Sequence, residues 1–191
     1  MAMEILYINC AVRSASRTRK LARHLLEKLD GNVAEVRPNE LGLPVTDEEL
    51  IERRSRLSAA GDFSDKYFAP AVQFAQADII VIAAPYWDLS FPAALKAYFE
   101  HINILGLTFA YTPEGEPVGL CRAKKLYYVT TAGGKIYSDE YGFGYVKALA
   151  QTFYGISEVK CFAAQELDII GNDPEDILAQ AKAQIDDYFG K

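Results

Sequence analysis

The run Ile79 to Ala84 constrains this chain more than any other stretch. It is a block of consecutive, mostly β-branched apolar residues with no polar alternation, as expected of a strand buried on both faces. Such a strand needs cover on both sides, which helices provide in a parallel sheet. Immediately after it come Pro85-Tyr86-Trp87-Asp88-Leu89-Ser90-Phe91, then Pro92 and the apolar positions Ala93, Ala94, Ala97, Tyr98 and Ile102. Their spacing predicts a helix entered through proline near its first turn. Two aromatic rings and an aspartate therefore fall at the carboxyl end of a parallel strand, where open α/β sheets place ligands. Plugging of the core by those rings accounts for them equally well at this stage.

The same alternation runs through the chain. Strands are predicted at Glu4–Asn9, Val33–Val36, Asp78–Ala84, Lys125–Thr131 and Val159–Ala163. Helices are predicted from the basic stretch after Ala15 to Gly31, over Asp47–Ser58 and Ser64–Ala77, to about His101, over Tyr145–Tyr154, and over Pro174–Tyr188. Thr108–Tyr111 and Pro117–Leu120 form a small hairpin excursion around Pro113-Glu114-Gly115-Glu116. No linker or repeat divides residues 1–191, so one doubly wound α/β domain is expected. A ligand at the strand-order reversal gives the order 2-1-3-4-5, with helices on both faces, although periodicity alone leaves the 3-2-1-4-5 order open.

Composition narrows the chemistry. Three distant cysteines (Cys10, Cys121, Cys161) and two histidines (His24, His101) make no metal-ligand spacing, so no metal site is expected and the thiols read as free in a reducing compartment. No apolar run approaches a membrane span, and Met1-Ala2-Met3-Glu4 lacks the layout of a signal peptide, which places the chain in the cytoplasm. A net charge of −6 argues against nucleic acid as a partner. The basic residues nevertheless cluster at Arg13, Arg17, Arg19, Lys20 and Arg23.

That cluster surrounds Ser14-Ala15-Ser16-Arg17-Thr18, between the first strand and the first helix. Helix N-termini offer unpaired amides and partial positive charge, and hydroxyls and guanidinium groups add to both. A capping serine with solvated arginines explains the residues as well, but their position after the first strand tips the reading towards a monophosphate ester. No glycine-rich dinucleotide or nucleoside-triphosphate loop is present. Gly133-Gly134, closing the fourth strand, permits positive φ or a close backbone approach to a ligand. Tyr137, Tyr141, Phe143 and Tyr145 crowd the next loop, where they could cover a flat ligand or pack on a partner subunit. No Ser-His-Asp or Cys-His pairing appears.

Four segments together resemble the FMN-dependent NAD(P)H:quinone oxidoreductases and azoreductases of the flavodoxin-like superfamily. They are Ser14 to Thr18, Pro85-Tyr86-Trp87 with Phe91-Pro92-Ala93 and Leu95-Lys96, Thr108-Phe109 and Tyr111-Thr112 with Gly119-Leu120, and Thr130 to Gly134. The resemblance spans nearly the whole chain. It implies a flavodoxin-like fold in which Ser16, Arg17 and Thr18 match the FMN phosphate loop, with Cys10 where the family often has serine or threonine. Pro85, Tyr86, Trp87, Asp88 and Leu89 match the segment along the isoalloxazine ring. Thr131, Ala132, Gly133 and Gly134 match the loop at the ring's pyrimidine end. Ala132 stands where those azoreductases commonly carry arginine and Ile136-Tyr137 where histidine is expected, so Tyr137 is the hydrogen-bond donor carried over. The implied reaction moves two electrons from NADH or NADPH through FMN to a quinone, azo or nitro aromatic acceptor. The flavin carries the hydride, so no side chain, Asp88 included, is assigned as catalytic. A homodimer with the site at its interface is also implied. A flavodoxin-type electron carrier, and a flavin-binding regulatory subunit of a transport system, are the alternatives.

Overall fold

The computed structural model describes residues 2–190. Its elements are β1 (Glu4–Asn9), α1 (Arg17–Leu26), β2 (Asn32–Val36), α2 (Glu48–Ala59), α3 (Ala69–Gln76), β3 (Ile79–Ala83), α4 (Ala93–Ile102), β4 (Phe109–Tyr111), β5 (Pro117–Gly119), β6 (Lys125–Thr131), α5 (Phe143–Thr152), β7 (Glu158–Ala164) and α6 (Pro174–Phe189). Five strands form one parallel sheet in the order β2-β1-β3-β6-β7, and β4 and β5 pair separately as an antiparallel hairpin. Counting sheet strands alone, this is the expected 2-1-3-4-5 order of a flavodoxin-like fold.

β3 is the centre, and all five of its residues are buried. Because strand side chains alternate between faces, Ile80 and Ile82 enter a core layer with Phe74, Leu95, Phe99 and Val146 from α3, α4 and α5. Ile79, Val81 and Ala83 enter a second layer with Leu21 and Leu25 of α1 and Leu178 and Ile185 of α6. The helices start where their caps dictate. Ser16 Oγ accepts from the Arg19 amide at 3.2 Å, Asp47 from Leu50 at 2.9 Å and Asp173 from Glu175 at 2.8 Å.

Three boundaries differ from the sequence expectation. α1 stops at Leu26 rather than Gly31, because the chain tightens through bonds from Lys28 to Leu25 and from Leu29 to Leu26. Gly31 is instead required by crowding: a Cβ there would lie 2.4 Å from the Met3 carbonyl oxygen. The span Ser64–Ala77 is broken into a 3₁₀ turn at Lys66–Phe68 and α3, since Pro70 has no amide to donate and is tolerated only in a first turn. α5 starts at Phe143, two residues early, with the Gly144 amide turned back to the Asp139 carbonyl at 2.6 Å.

The hairpin is locked to the sheet layer. Buried Thr108 donates from Oγ1 to the Ile102 carbonyl at 2.7 Å and accepts from the Ile104 amide at 3.0 Å. The end of β5 lies directly on the turn before β7, and a Cβ at Gly119 would fall 2.0 Å from the Gly155 nitrogen. Backbone cannot yield there as a flexible side chain would. Gly119→Ala is therefore expected to destabilise the fold by about 2–4 kcal/mol, measured by urea unfolding; a loss below ~0.5 kcal/mol would show that the hairpin is not seated on this turn.

Candidate functional site

All five parallel strands present their carboxyl ends on one edge, and the order reverses between β1 and β3. The loops leaving β1, β3, β6 and β7 surround a cavity of about 430 Å³ on that edge.

The β1 loop and the start of α1 form its polar wall. Arg13, Ala15, Ser16, Arg17 and Thr18 line it, together with Ala11 and Val12. Among the described residues, the amides of Arg17 and Thr18 have no hydrogen-bond acceptor, since Ser16 Oγ takes only Arg19 and the first helical bond runs from Lys20 to Ser16 at 3.1 Å. These are the orphan donors that every helix N-terminus leaves. Arg13 and Arg17 add charge at the lining, whereas Arg19 is occupied otherwise: its guanidinium donates to the Ala11 carbonyl at 2.5 Å and the Ser14 carbonyl at 3.4 Å. Arg19 thus braces the loop. Asn9, fully buried, braces it from the other side by accepting the Ala11 amide at 3.0 Å while donating to Glu35 at 2.8 Å.

The β3 loop forms the aromatic wall, through Pro85, Tyr86 and Trp87. Its backbone extends the sheet, with the Tyr86 amide bonded to the Thr131 carbonyl at 3.0 Å. The chain then reverses over Asp88 and Leu89, both left-handed at φ +50° and +67°, with Trp87 and Ser90 exchanging bonds of 3.1 and 2.8 Å. This is the geometry of a two-residue hairpin turn that normally carries Asn-Gly. A leucine in that region costs about 1–2 kcal/mol. The Asp88 and Leu89 amides have no acceptor among the described residues, and Ser90 Oγ donates to the Tyr141 carbonyl.

The β6 loop completes the third side with Thr131, Ala132 and Gly133. Thr131 Oγ1 lies 2.6 Å from Thr18 Oγ1 in a buried hydroxyl pair that ties this loop to α1. Gly133 and Gly134 do not have positive φ, which corrects one of the two reasons expected for them. At Gly133 the close neighbour is the chain's own Asp168, whose Oδ2 would lie 2.4 Å from a Cβ there. The segment after β7 runs alongside, with amides of Glu166, Leu167 and Asp168 bonded to the carbonyls of Gly134, Ala132 and Gly133 at 2.9, 3.2 and 2.8 Å. Leu167 and Asp168 line the cavity, and Arg17 Nη1 contacts Asp168 Oδ1 at 2.6 Å.

The structure therefore brings together Ser16, Arg17, Thr18, Pro85, Tyr86, Trp87, Thr131, Ala132 and Gly133. Five other expected positions do not line this cavity. Cys10 points into the core with 1% exposure, and burial pushes its thiol up to about 12, so it is a neutral apolar side chain and not a phosphate contact. Asp88 and Leu89 occupy the turn tip, and Gly134 has open space around its Cα. Tyr137 is 81% exposed and turned to solvent, so the donor role expected of it is not built in this conformation. Leu167 and Asp168 were not identified from the sequence. Their only signal was a place just beyond the fifth strand, on the same edge.

Behind Tyr86 lies a second cavity of about 250 Å³, bounded by Tyr128, Thr130, Ile136, Phe143 and Gln165 among others. Among the described residues the Tyr86 hydroxyl is buried without a hydrogen-bond partner. Among the described residues no group of His, Cys, Asp and Glu side chains forms a metal site, and no helix is long and apolar enough to cross a membrane.

An open parallel sheet in this strand order, with helices on both faces, is the architecture of the flavodoxin-like fold, whose family model matches residues 3–189. The chain is 37% identical over 189 residues to an FMN-dependent NADH:quinone oxidoreductase of Lachnoclostridium phytofermentans, covering 94% of each chain. It is 36% identical to FMN-dependent NADH:quinone oxidoreductase 2 of Clostridium acetobutylicum, covering 92% of each. The chain belongs to the family of these flavodoxin-like oxidoreductases. In fold it also matches an azoreductase of Bacillus anthracis, with a TM-score of 0.84 at 23% identity over 98% of both chains.

Two outcomes follow from the site's construction. Asp88→Asn with Leu89→Gly places the preferred residues in the left-handed turn and is expected to raise unfolding stability by about 1 kcal/mol; a loss of stability would mean the turn is held differently. Burial raises the thiols of Cys10, Cys121 and Cys161 to about 12. A raised thiol pKa leaves the neutral form dominant below it, so at pH 8 only about one in ten thousand is thiolate. Cys10 and Cys121, both buried, should resist alkylation at pH 8 in the native protein and label once it unfolds; rapid labelling of either in the folded protein would contradict their burial.

Proposed function

We propose that this protein is an FMN-dependent oxidoreductase that takes two electrons from NADH and delivers them to a quinone, azo or nitro aromatic acceptor. The observation that carries the reading is the cavity's polarity: orphan amides, hydroxyls and two arginines at one end, Tyr86 and Trp87 at the other. A phosphate monoester attached to a flat heterocycle is complementary to both ends. The donor set fits FMN on chemical grounds, since it supplies charge-assisted and backbone bonds to an anion and no glycine-rich loop for a diphosphate.

In this reading the Arg17 and Thr18 amides, the Ser16 hydroxyl and the Arg13 and Arg17 guanidiniums hold the phosphate. Pro85, Tyr86 and Trp87 cover one side of the ring, while Asp88 and Leu89 offer backbone donors from the turn. Thr131 to Gly134 contribute backbone along the far edge. FMN, when bound, supplies the hydride transfer, and these residues bind it, orient it and exclude water. Cys10 takes no part beyond packing.

Residues 1–191 act in this account as one flavin-binding domain. The relatives' names specify NADH, which makes NADH the electron donor to test first. Trp87, Leu89, Tyr137, Tyr141 and Ile170 are all exposed around the cavity mouth or on neighbouring loops of the same edge. Aromatic and aliphatic groups exposed together suit an interface, and a homodimer closing over the site is the assembly proposed. A cytoplasmic location agrees with three unpaired cysteines.

The purified protein, supplied with FMN, should show a bound-flavin absorbance spectrum and oxidise NADH with a small quinone as acceptor. Bound flavin without turnover would favour the electron-carrier or regulatory alternatives. Failure to retain added FMN would remove every flavin reading.

A further inference from the structure

Among the described residues Asp168 is the one acidic residue lining the proposed phosphate-binding end, where a carboxylate opposes the ligand's charge. Resting on the FMN reading above, we propose that Asp168 is an affinity-setting residue. Its carboxylate competes with the ligand's phosphate for the Arg17 guanidinium and so limits how strongly the site prefers a phosphorylated flavin over an unphosphorylated one.

The placement of this carboxylate is built in. The Asp168 amide is bonded to the Gly133 carbonyl at 2.8 Å, so the residue is carried by the ladder between the β6 and β7 loops. Glycine at 133 leaves the carboxylate in this position undisturbed, since a Cβ there would stand 2.4 Å from Asp168 Oδ2 and the side chain would have to shift. The carboxylate then reaches Arg17 at 2.6 Å, at the first residue of a helix with no acidic group in its first turn. Asp168 thus stands in for an anion at a helix start that otherwise has none.

The pair is poised to exchange. The side chains of Arg17 and Asp168 are 36% and 67% exposed, and ion pairs this exposed contribute little. A phosphate dianion bonded also to the Arg17 and Thr18 amides is the stronger partner for the guanidinium. Arg13, which has no ion partner among the described residues, remains available without exchange. Arg17 is therefore the adjustable cation of the two.

The test is titration of FMN and riboflavin into the wild type, Asp168→Asn, Arg17→Ala and the double variant, read by quenching of flavin fluorescence. Asp168→Asn is expected to lower the FMN Kd by about 3- to 10-fold and leave the riboflavin Kd within about twofold. The gain should vanish in the Arg17→Ala background. An unchanged FMN Kd, an equal gain for riboflavin, or a gain that survives loss of Arg17 would each overturn the competition. Wild-type protein that binds neither flavin would instead overturn the FMN reading, and this inference with it. Thermal-shift stabilisation by inorganic phosphate gives a readout without flavin: it should be larger in Asp168→Asn than in the wild type, and an equal or smaller shift counts against the proposal.

Discussion

Burial of β3 on both faces is the constraint from which the rest follows. A strand with apolar side chains pointing both ways must be covered twice, and here α1 and α6 cover one side while α3, α4 and α5 cover the other. Covering a parallel sheet this way brings every strand back in the same direction, so all the strand-to-helix loops collect on one edge. The chain builds outward from β1 to β2 and then returns to β3 on the opposite side. At that reversal neighbouring loops diverge, and the cavity opens there. The site is thus a consequence of how the core is closed.

The residues on that edge break local rules that the core obeys. The α1 amides are left without acceptors, and Asp88 and Leu89 hold left-handed backbone that neither residue prefers. A lone carboxylate sits against a cationic wall, admitted by a glycine. The orphan amides and the left-handed turn cost stability in the free protein and supply donors that a bound anion or flat ring uses, whereas the carboxylate answers the cationic wall until an anion replaces it. The loops are nonetheless held by buried bonds: Thr18 to Thr131 across the cavity floor, Arg19 and Asn9 beneath the β1 loop, and Tyr86 to the end of β6. Donors fixed in advance need no reorganisation when a ligand arrives.

What could be read from the sequence divides along the same line. The strands and helices were legible because continuous apolar runs and 3.6-residue spacing report burial directly, whereas their order in the sheet is not recorded by periodicity. The positions of Ser16 to Thr18 and Pro85 to Trp87 were legible because a cap and a proline mark where loops meet helices. That Cys10 is buried away from the cavity was not legible, because position along the chain does not say which way the last side chains of a strand point. The outward placement of Tyr137 was not legible, because loop conformation is set by tertiary bonds such as that from the Ile136 amide to Gln165. Asp168 escaped notice because its role depends on a ladder between two loops 35 residues apart, from Gly133 to Asp168. No short-range pattern records such a pairing.

Loops from β1, β3 and β6 are proposed to form one flavin-binding surface. Backbone amide chemical shifts during an FMN titration test it most directly. The amides of Arg17, Thr18, Asp88, Leu89, Gly133 and Gly134 should move together at one saturating concentration, while β2 and α2 stay still. Shifts confined to one of the three loops, or centred on β2 and α2, would contradict it.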